Sequence, residues 1–148
     1  VALVAAMASS LKSWGTLLLL LGLQCSLLAQ STSRRAFMEY HHLNPNRAFS
    51  AYRCDEVVKE KRLMRRISYT FLHMSRYELE QVCISGNLTD RLKNSYFWTR
   101  VRIKVLQCSW VRYTYKDTKS YNHVLFHCGD EGYVDRIEDV TVLEPIFD

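Results

Sequence analysis

Cysteine number and spacing constrain the fold of this chain more than any other feature. Four cysteines, Cys54, Cys83, Cys108 and Cys128, lie after residue 50, and a fifth, Cys25, lies in an apolar N-terminal segment. An even number of dispersed cysteines without a CxxC spacing predicts disulfides rather than a metal site. Bridges closing loops of this size each contribute on the order of 4 kcal/mol, comparable to the net stability of a small domain. Four cysteines allow three pairings, and spacing alone does not choose among them.

The N-terminal segment has the organisation of a secretory leader. Residues 1–6 precede Met7 and are interpreted as an upstream extension. A short positively charged stretch, the apolar run 16–23 and small residues then follow. This order predicts a signal peptide over residues 7–33 and a single domain over residues 34–148. The apolar run is short for a bilayer span, which makes a membrane anchor the weaker interpretation.

The predicted domain is only mildly basic. The leader contains one of the 20 Lys and Arg residues and none of the 15 Asp and Glu residues, so the remainder has a net charge of +4. This balance favours weak attraction to polyanions such as RNA, heparan-type glycans or sialylated surfaces, and an ordinary solvated surface has the same charge. A glycosylation sequon, Asn87-Leu88-Thr89, is expected to be used if the chain is secreted.

Helical patterns predominate in the first half of the domain. Apolar residues at helical spacing predict a short helix over residues 35–43 and a second over residues 48–64. Ser75 and Glu78 match a capping box, which predicts a third helix with Cys83 on its buried face.

Period-two patterns predominate in the second half. Arg100, Arg102 and Lys104 alternate with apolar residues, which predicts three basic side chains on one sheet face, either solvated or available to a polyanion. Gly129 and Gly132 bound a hairpin loop near the C-terminus. Three early helices and a late antiparallel sheet predict an α+β domain. The predicted strands are residues 67–73, 100–105, 110–115, 121–128 and 133–143.

Three segments together resemble the pancreatic-type ribonuclease superfamily. Phe37-Met38-Glu39-Tyr40-His41 resembles that family's first helix, in which a phenylalanine precedes the catalytic base histidine by four residues. Tyr69-Thr70-Phe71-Leu72-His73, with the helix leading to Cys83, resembles its Asn-Thr-Phe segment. His123-Val124-Leu125-Phe126-His127-Cys128, then Tyr133-Val134, resembles its last hairpin. The resemblance implies a ribonuclease A-like fold, in which three N-terminal helices pack on a twisted antiparallel β-sheet and disulfides link the helices to the sheet.

A closer resemblance is to the epididymal secretory proteins of type three, a divergent non-catalytic branch of that superfamily. It lies in Ser9-Ser10-Leu11-Lys12-Ser13-Trp14-Gly15, in Phe126-His127-Cys128-Gly129 with Gly132-Tyr133-Val134-Asp135, and in Ile137-Glu138-Asp139 with Glu144-Pro145-Ile146. This resemblance implies a secreted product of the male reproductive tract with a role in sperm maturation.

The ribonuclease resemblance assigns positions to the catalytic groups. RNA cleavage needs a base for the ribose 2′-hydroxyl, an acid for the leaving oxygen and a cation beside the phosphorane. By resemblance, His41 occupies the base position, Arg66 the position of the lysine cation, and Thr70 the position that reads a pyrimidine. Arg65 and Tyr69 stand where the family has cysteine and asparagine. Guanidinium also differs from ammonium in shape and hydration.

The acid position is the main departure from the family. The family has a histidine nine residues beyond Cys128, and this chain has Ile137 there. Isoleucine cannot donate a proton, and the loss of general acid catalysis costs about 10²- to 10⁴-fold. No histidine follows His127, Glu138 replaces an aromatic residue, and Tyr40 replaces a glutamine. We therefore expect no ribonuclease activity.

The resemblance also implies the disulfide pairing. Cys54 is expected to pair with Cys108, joining the second helix to the sheet, and Cys83 with Cys128, joining the third helix to the last hairpin. By resemblance, Arg65 stands where the family has a cysteine, so the disulfide which that cysteine forms in the family is expected to be absent here.

The leading prediction is a secreted, glycosylated and catalytically silent protein that acts by binding at the sperm surface or in epididymal fluid. No cofactor, metal, membrane span or specific nucleic acid is expected. A weak ribonuclease using His41 and Arg66 is one alternative. A cationic host-defence protein is another, although a net charge of +4 counts against it. Without the resemblance, the adjacent His41 and His42 are better explained as structural side chains, and Arg65 and Arg66 as a solvated charge pair.

Overall fold

A computed structural model describes residues 34–84, 89–91 and 95–147. The predicted upstream extension, the predicted signal peptide and the sequon at Asn87 lie outside the described residues.

Three short helices precede or flank the first strands. Residues 34–41 are helical (α1), Cys54–Glu60 form α2 and Arg76–Gln81 form α3. The capping box that opens α3 is confirmed, because the Ser75 hydroxyl accepts the Glu78 N–H at 3.0 Å and the Glu78 carboxylate accepts the Ser75 N–H at 3.2 Å. This exchange satisfies two N–H groups that a helix start leaves unpaired.

The second helix is much shorter than the helix predicted over residues 48–64, so that prediction was wrong in its bounds. A 3₁₀ turn over Phe49–Ala51 is followed by extended backbone at Arg53, and α2 begins only at Cys54. The Cys54 N–H donates to the Asp117 carboxylate at 3.0 Å, so the helix start is fixed by a residue 63 positions away. The helix ends before Arg62, whose φ of 55° is left-handed.

The strands form one seven-stranded sheet in the order β1-β2-β5-β6-β4-β3, with β7 paired to β6. The β1–β2 pair is parallel and the other pairs are antiparallel. The predicted α+β arrangement is therefore confirmed, with a mixed rather than purely antiparallel sheet. The strands are β1 (His42–Leu43), β2 (Ser68–His73), β3 (Thr89–Arg91), β4 (Tyr96–Thr99), β5 (Ile103–Val111), β6 (Thr114–Cys128) and β7 (Val134–Pro145).

The basic row predicted on one strand is wrong. The strand β5 begins at Ile103, so Arg100 and Arg102 precede it, and Val101 is 42% exposed rather than inward-facing. Arg102 forms a 3.2 Å ion pair with Glu144 near the end of β7. A partner 42 residues away in sequence therefore orients this side chain, and period-two spacing gives no sign of it.

Two disulfides join the helical segments to the sheet. The Sγ atoms of Cys54 and Cys108 are 2.01 Å apart, and those of Cys83 and Cys128 are 2.04 Å apart. These are the two pairs that the family resemblance implies. Cys54 and Cys108 are fully buried in the core beside α2, whereas Cys83 is only partly buried.

The buried side chains form two clusters on the sheet. One surrounds the Cys54–Cys108 bridge and includes Tyr69 and Tyr115. The other lies beneath α1 and α3 and includes Phe37 and Phe126. The last turn of α1, which carries His41, lies between β2 and this second cluster, as the contacts below show.

Candidate functional site

His41 is held in one tautomer by the neighbouring strand. Its Nδ1 lies 2.8 Å from the backbone carbonyl oxygen of Thr70 in β2. Because a carbonyl only accepts, Nδ1 is the donor, and the neutral ring has Nε2 as its free acceptor. The Phe37 ring packs one turn earlier in α1, with its centroid 4.7 Å from that of His41. His41 therefore has the form that a general base requires.

The surroundings of His41 favour the neutral ring. Burial lowers the pKa of His41 below 6.5, and the positive charges of Arg66 and Lys61 act in the same direction, while the hydrogen bond to Thr70 opposes them. Near neutral pH the imidazole is therefore able to accept a proton.

Arg66 is held against aromatic rings. Its guanidinium carbon lies 4.4 Å from the ring centroid of Tyr40 and 5.9 Å from that of Tyr69, and these two rings are nearly parallel. The Tyr115 hydroxyl accepts the Arg66 N–H at 3.0 Å and donates to the Arg66 carbonyl at 2.8 Å. The two tyrosines that replace the family's glutamine and asparagine thus provide a cation–π platform for the arginine that replaces its lysine.

Ile137 lies in β7 opposite Phe126 of β6. It is partly buried and packs on the cluster that contains Phe37, whose ring in turn contacts His41. The next residue, Glu138, accepts a hydrogen bond from the Arg136 guanidinium at 3.0 Å. Ile137 therefore lies on the apolar surface that includes Phe37, and the carboxylate of Glu138, the next residue, is paired with Arg136.

The structure thus brings His41, Thr70 and Arg66 together, with Thr70 contributing its carbonyl to His41. Arg65 lies apart from this group, and its guanidinium carbon is 4.4 Å from the Trp110 ring centroid. A base and a cation are present, and Ile137 provides no acid.

One pair was missed by the sequence reasoning. His127 Nδ1 lies 2.6 Å from an Asp135 carboxylate oxygen, and the His127 ring meets that of Tyr96 edge-on at 4.9 Å. The Tyr96 hydroxyl accepts a hydrogen bond from Arg136. Sequence spacing gave no signal, because the contact depends on an irregularity in the β6–β7 register between His127 and Cys128.

The described part of the chain offers no cluster of three or more His, Cys, Asp or Glu side chains arranged to hold a metal ion. Within the same residues, no helix has the length and apolar character needed to cross a membrane.

The predicted ribonuclease A-like fold is confirmed by comparison with solved structures. The crystal structure of zebrafish RNase5 matches with a TM-score of 0.59 over 74% of this chain and 94% of that one, at 16% identity, which shows the shared fold. No protein-family model matches the chain.

Two human proteins are much closer in sequence. Epididymal secretory protein E3-beta is 44% identical over 145 residues, and E3-alpha is 39% identical over 145 residues. Each alignment covers 95% of this chain and 99% of the relative. The chain therefore belongs to the epididymal secretory protein E3 family.

Proposed function

We propose that this protein is a secreted, catalytically silent member of the ribonuclease fold that acts by binding, at the sperm surface or in epididymal fluid, during sperm maturation. The names of its two human relatives support secretion and the epididymal setting. Two disulfides support an oxidising compartment. A signal peptide over residues 7–33 and a glycan at Asn87 are parts of the same proposal.

The observation that carries the proposal is the side chain at position 137. Ile137 packs against the cluster next to the base and has no proton to donate. Cleavage needs the leaving oxygen to be protonated, so the base at His41 acts without a partner. The next residue, Glu138, is paired with Arg136 and provides no acid either.

A second candidate, a weak ribonuclease, is favoured by the state of His41. Its Nδ1 is bound to the Thr70 carbonyl, so Nε2 is available to take a proton, and Arg66 supplies a positive charge nearby. This candidate predicts slow RNA turnover that disappears in His41→Ala.

The binding function is tested with labelled mature protein and epididymal sperm. We expect saturable association that excess unlabelled protein competes away and that His41→Ala does not change. A control protein of matched size and net charge should not compete. Association that never saturates, or that the control displaces equally, would reject a specific binding function.

A further inference from the structure

A cavity of about 430 Å³ lies between β1, the end of α2 and the start of α3. Its lining does not include the three side chains of the candidate ribonuclease site. The polar side chains that line it are His42, Asn44, Arg47, Tyr52, Glu60, Lys61 and Arg76. Pockets that bind small molecules have volumes of about 300–1,000 Å³, so this one could hold a small ligand.

The charges in this cavity are unbalanced. Three cations line it, against the single carboxylate of Glu60. Arg47 already uses that carboxylate, at 3.3 Å, and its guanidinium also lies over the Tyr52 ring at 4.8 Å. Lys61 and Arg76 have no carboxylate within 4.0 Å among the residues the structure describes.

The two remaining cations act on each other. Burial lowers the pKa of Lys61, and the charge of Arg76 lowers it further, against smaller opposing effects of Glu39 and Glu60. Lys61 Nζ makes only a long contact of 3.5 Å, to the Met38 carbonyl. Two like charges close together are unfavourable, and a bound anion would relieve that cost.

His42, which also lines the cavity, has a ring nitrogen without a hydrogen-bond partner in the described part of the chain. Its Nε2 is buried and has no hydrogen-bond partner among the described residues, although buried polar atoms are nearly always paired. Burial, followed by the charges of Lys61 and Arg76, lowers the pKa of His42 to about 4. The neutral ring therefore has, among the described residues, one unpaired nitrogen, which a ligand in the cavity reaches once the His42 side chain shifts towards it.

We propose that this cavity binds a small ligand through an oxyanion, which is a phosphate, sulfate or carboxylate group. Arg76 contributes a planar fork that can donate two hydrogen bonds to such a group, and Lys61 contributes a point charge. His42 pairs with a ligand hydroxyl when neutral, or with the anion itself when protonated. The inference does not depend on whether His41 is catalytically silent.

The direct test uses the full mature chain and isotope-edited NMR titration at constant ionic strength. Inorganic sulfate is the first probe, and glucose 6-phosphate, N-acetylneuraminic acid and neutral glucose distinguish phosphate, carboxylate and uncharged ligands. We expect saturable amide shifts confined to His42, Lys61 and Arg76 and their neighbours for the anions, and none for glucose. Shifts that are absent, unsaturable or spread over the surface would overturn the proposal.

Variants assign the binding to the cavity. The double variant Lys61→Gln/Arg76→Gln should weaken sulfate binding by more than about tenfold, since a charge-assisted hydrogen bond contributes about 1.5–3 kcal/mol. The matched control, Lys59→Gln/Lys116→Gln, removes two exposed charges outside the lining and should leave the affinity unchanged. Equal loss in both variants would mean that net charge, not the cavity, binds the ion.

A pH profile gives a readout that does not depend on folding of the double variant. A bound anion favours protonated His42, so sulfate affinity should rise as the pH falls from 7 to 5, while sulfate keeps its charge. Lys61, Arg76 and His73 oppose this protonation in the free protein. Arg47 and Glu60 share the cavity wall and lie 3.3 Å from each other. His42→Asn should flatten the profile, and a profile unchanged by this substitution would contradict the role of His42.

The two proposals fail separately. Loss of sulfate binding in Lys61→Gln/Arg76→Gln tests the cavity, whereas RNA cleavage by the wild-type protein tests the silent site, and neither result decides the other.

Discussion

Replacing Ile137 by histidine should restore measurable RNA cleavage. Ile137 lies opposite Phe126, whose ring is 6.5 Å from that of Phe37, and Phe37 in turn contacts His41 at 4.7 Å, so a histidine at 137 is directed towards His41. General acid catalysis contributes about 10²- to 10⁴-fold. The new histidine has no established partner to orient its ring, so we expect a gain near the lower limit, about 10²-fold over the wild type.

The substitution has a modest cost in stability. Ile137 is only partly buried, and full burial of such a side chain is worth about 1.5–3 kcal/mol, so a loss of about 1 kcal/mol is expected. Val140→His is the matched control, because Val140 is also partly buried in β7 and packs on the same cluster. It should lose similar stability and gain no activity.

The assay is initial-rate cleavage of poly(C) by the purified mature variants. Ile137→His should exceed both the wild type and Val140→His, and adding His41→Ala should abolish the gain. An Ile137→His variant that is folded but no more active than Val140→His would refute the reasoning that a missing acid silences the site.

Three further predictions concern stability. Replacing Cys54 and Cys108 together by serine should lower the free energy of unfolding by about 4 kcal/mol in a urea titration, because the bridge closes a 54-residue separation; a loss below about 1 kcal/mol would contradict this. Tyr115→Phe should lower the free energy of unfolding by about 1–3 kcal/mol, because it leaves the Arg66 N–H and carbonyl without their partner. Tyr113 is 91% exposed, so Tyr113→Phe should change it very little, and equal effects of the two variants would be evidence against the Tyr115–Arg66 contact. The folded-state pKa of His42 is about 4 and lies below the unfolded value of 6.5, so the stability that the neutral ring provides is complete above pH 6.5 and is lost as the pH falls towards 4. The free energy of unfolding, measured at several pH values, should decline less steeply with falling pH in His42→Asn, and identical slopes would refute this.

Local sequence patterns predicted the parts of the fold that local interactions determine. The capping box of α3 and the strand β2 follow from neighbouring residues, and both are present. The Asp117 carboxylate accepts a hydrogen bond at the start of α2, and Arg102, just before β5, forms an exposed ion pair with Glu144. Helical and period-two spacing contain no information on such distant partners, so both boundaries were wrong.

The candidate ribonuclease site was located by resemblance, not by pattern. Without the resemblance, His41 would have been interpreted as a structural histidine. The platform that Tyr40 and Tyr69 provide for Arg66 was not anticipated, because the two tyrosines are 29 residues apart in sequence and each was considered only as a departure from the family.

The cavity could not be predicted from the sequence. Its cations come from the segment after β1, the end of α2 and the start of α3, and their proximity arises only from packing. Without the resemblance, sequence reasoning predicts a structural role for His42, as for His41. In the structure His42 lines this cavity and its buried Nε2 has no hydrogen-bond partner among the described residues.

The central claim is that this ribonuclease fold does not cleave RNA. It is tested most directly by incubating purified, correctly disulfide-bonded mature protein with poly(C) and poly(U), beside His41→Ala prepared in the same way. We predict that the two proteins release the same background amount of soluble nucleotide. Cleavage by the wild-type protein that is lost in His41→Ala would contradict the claim and establish an active ribonuclease.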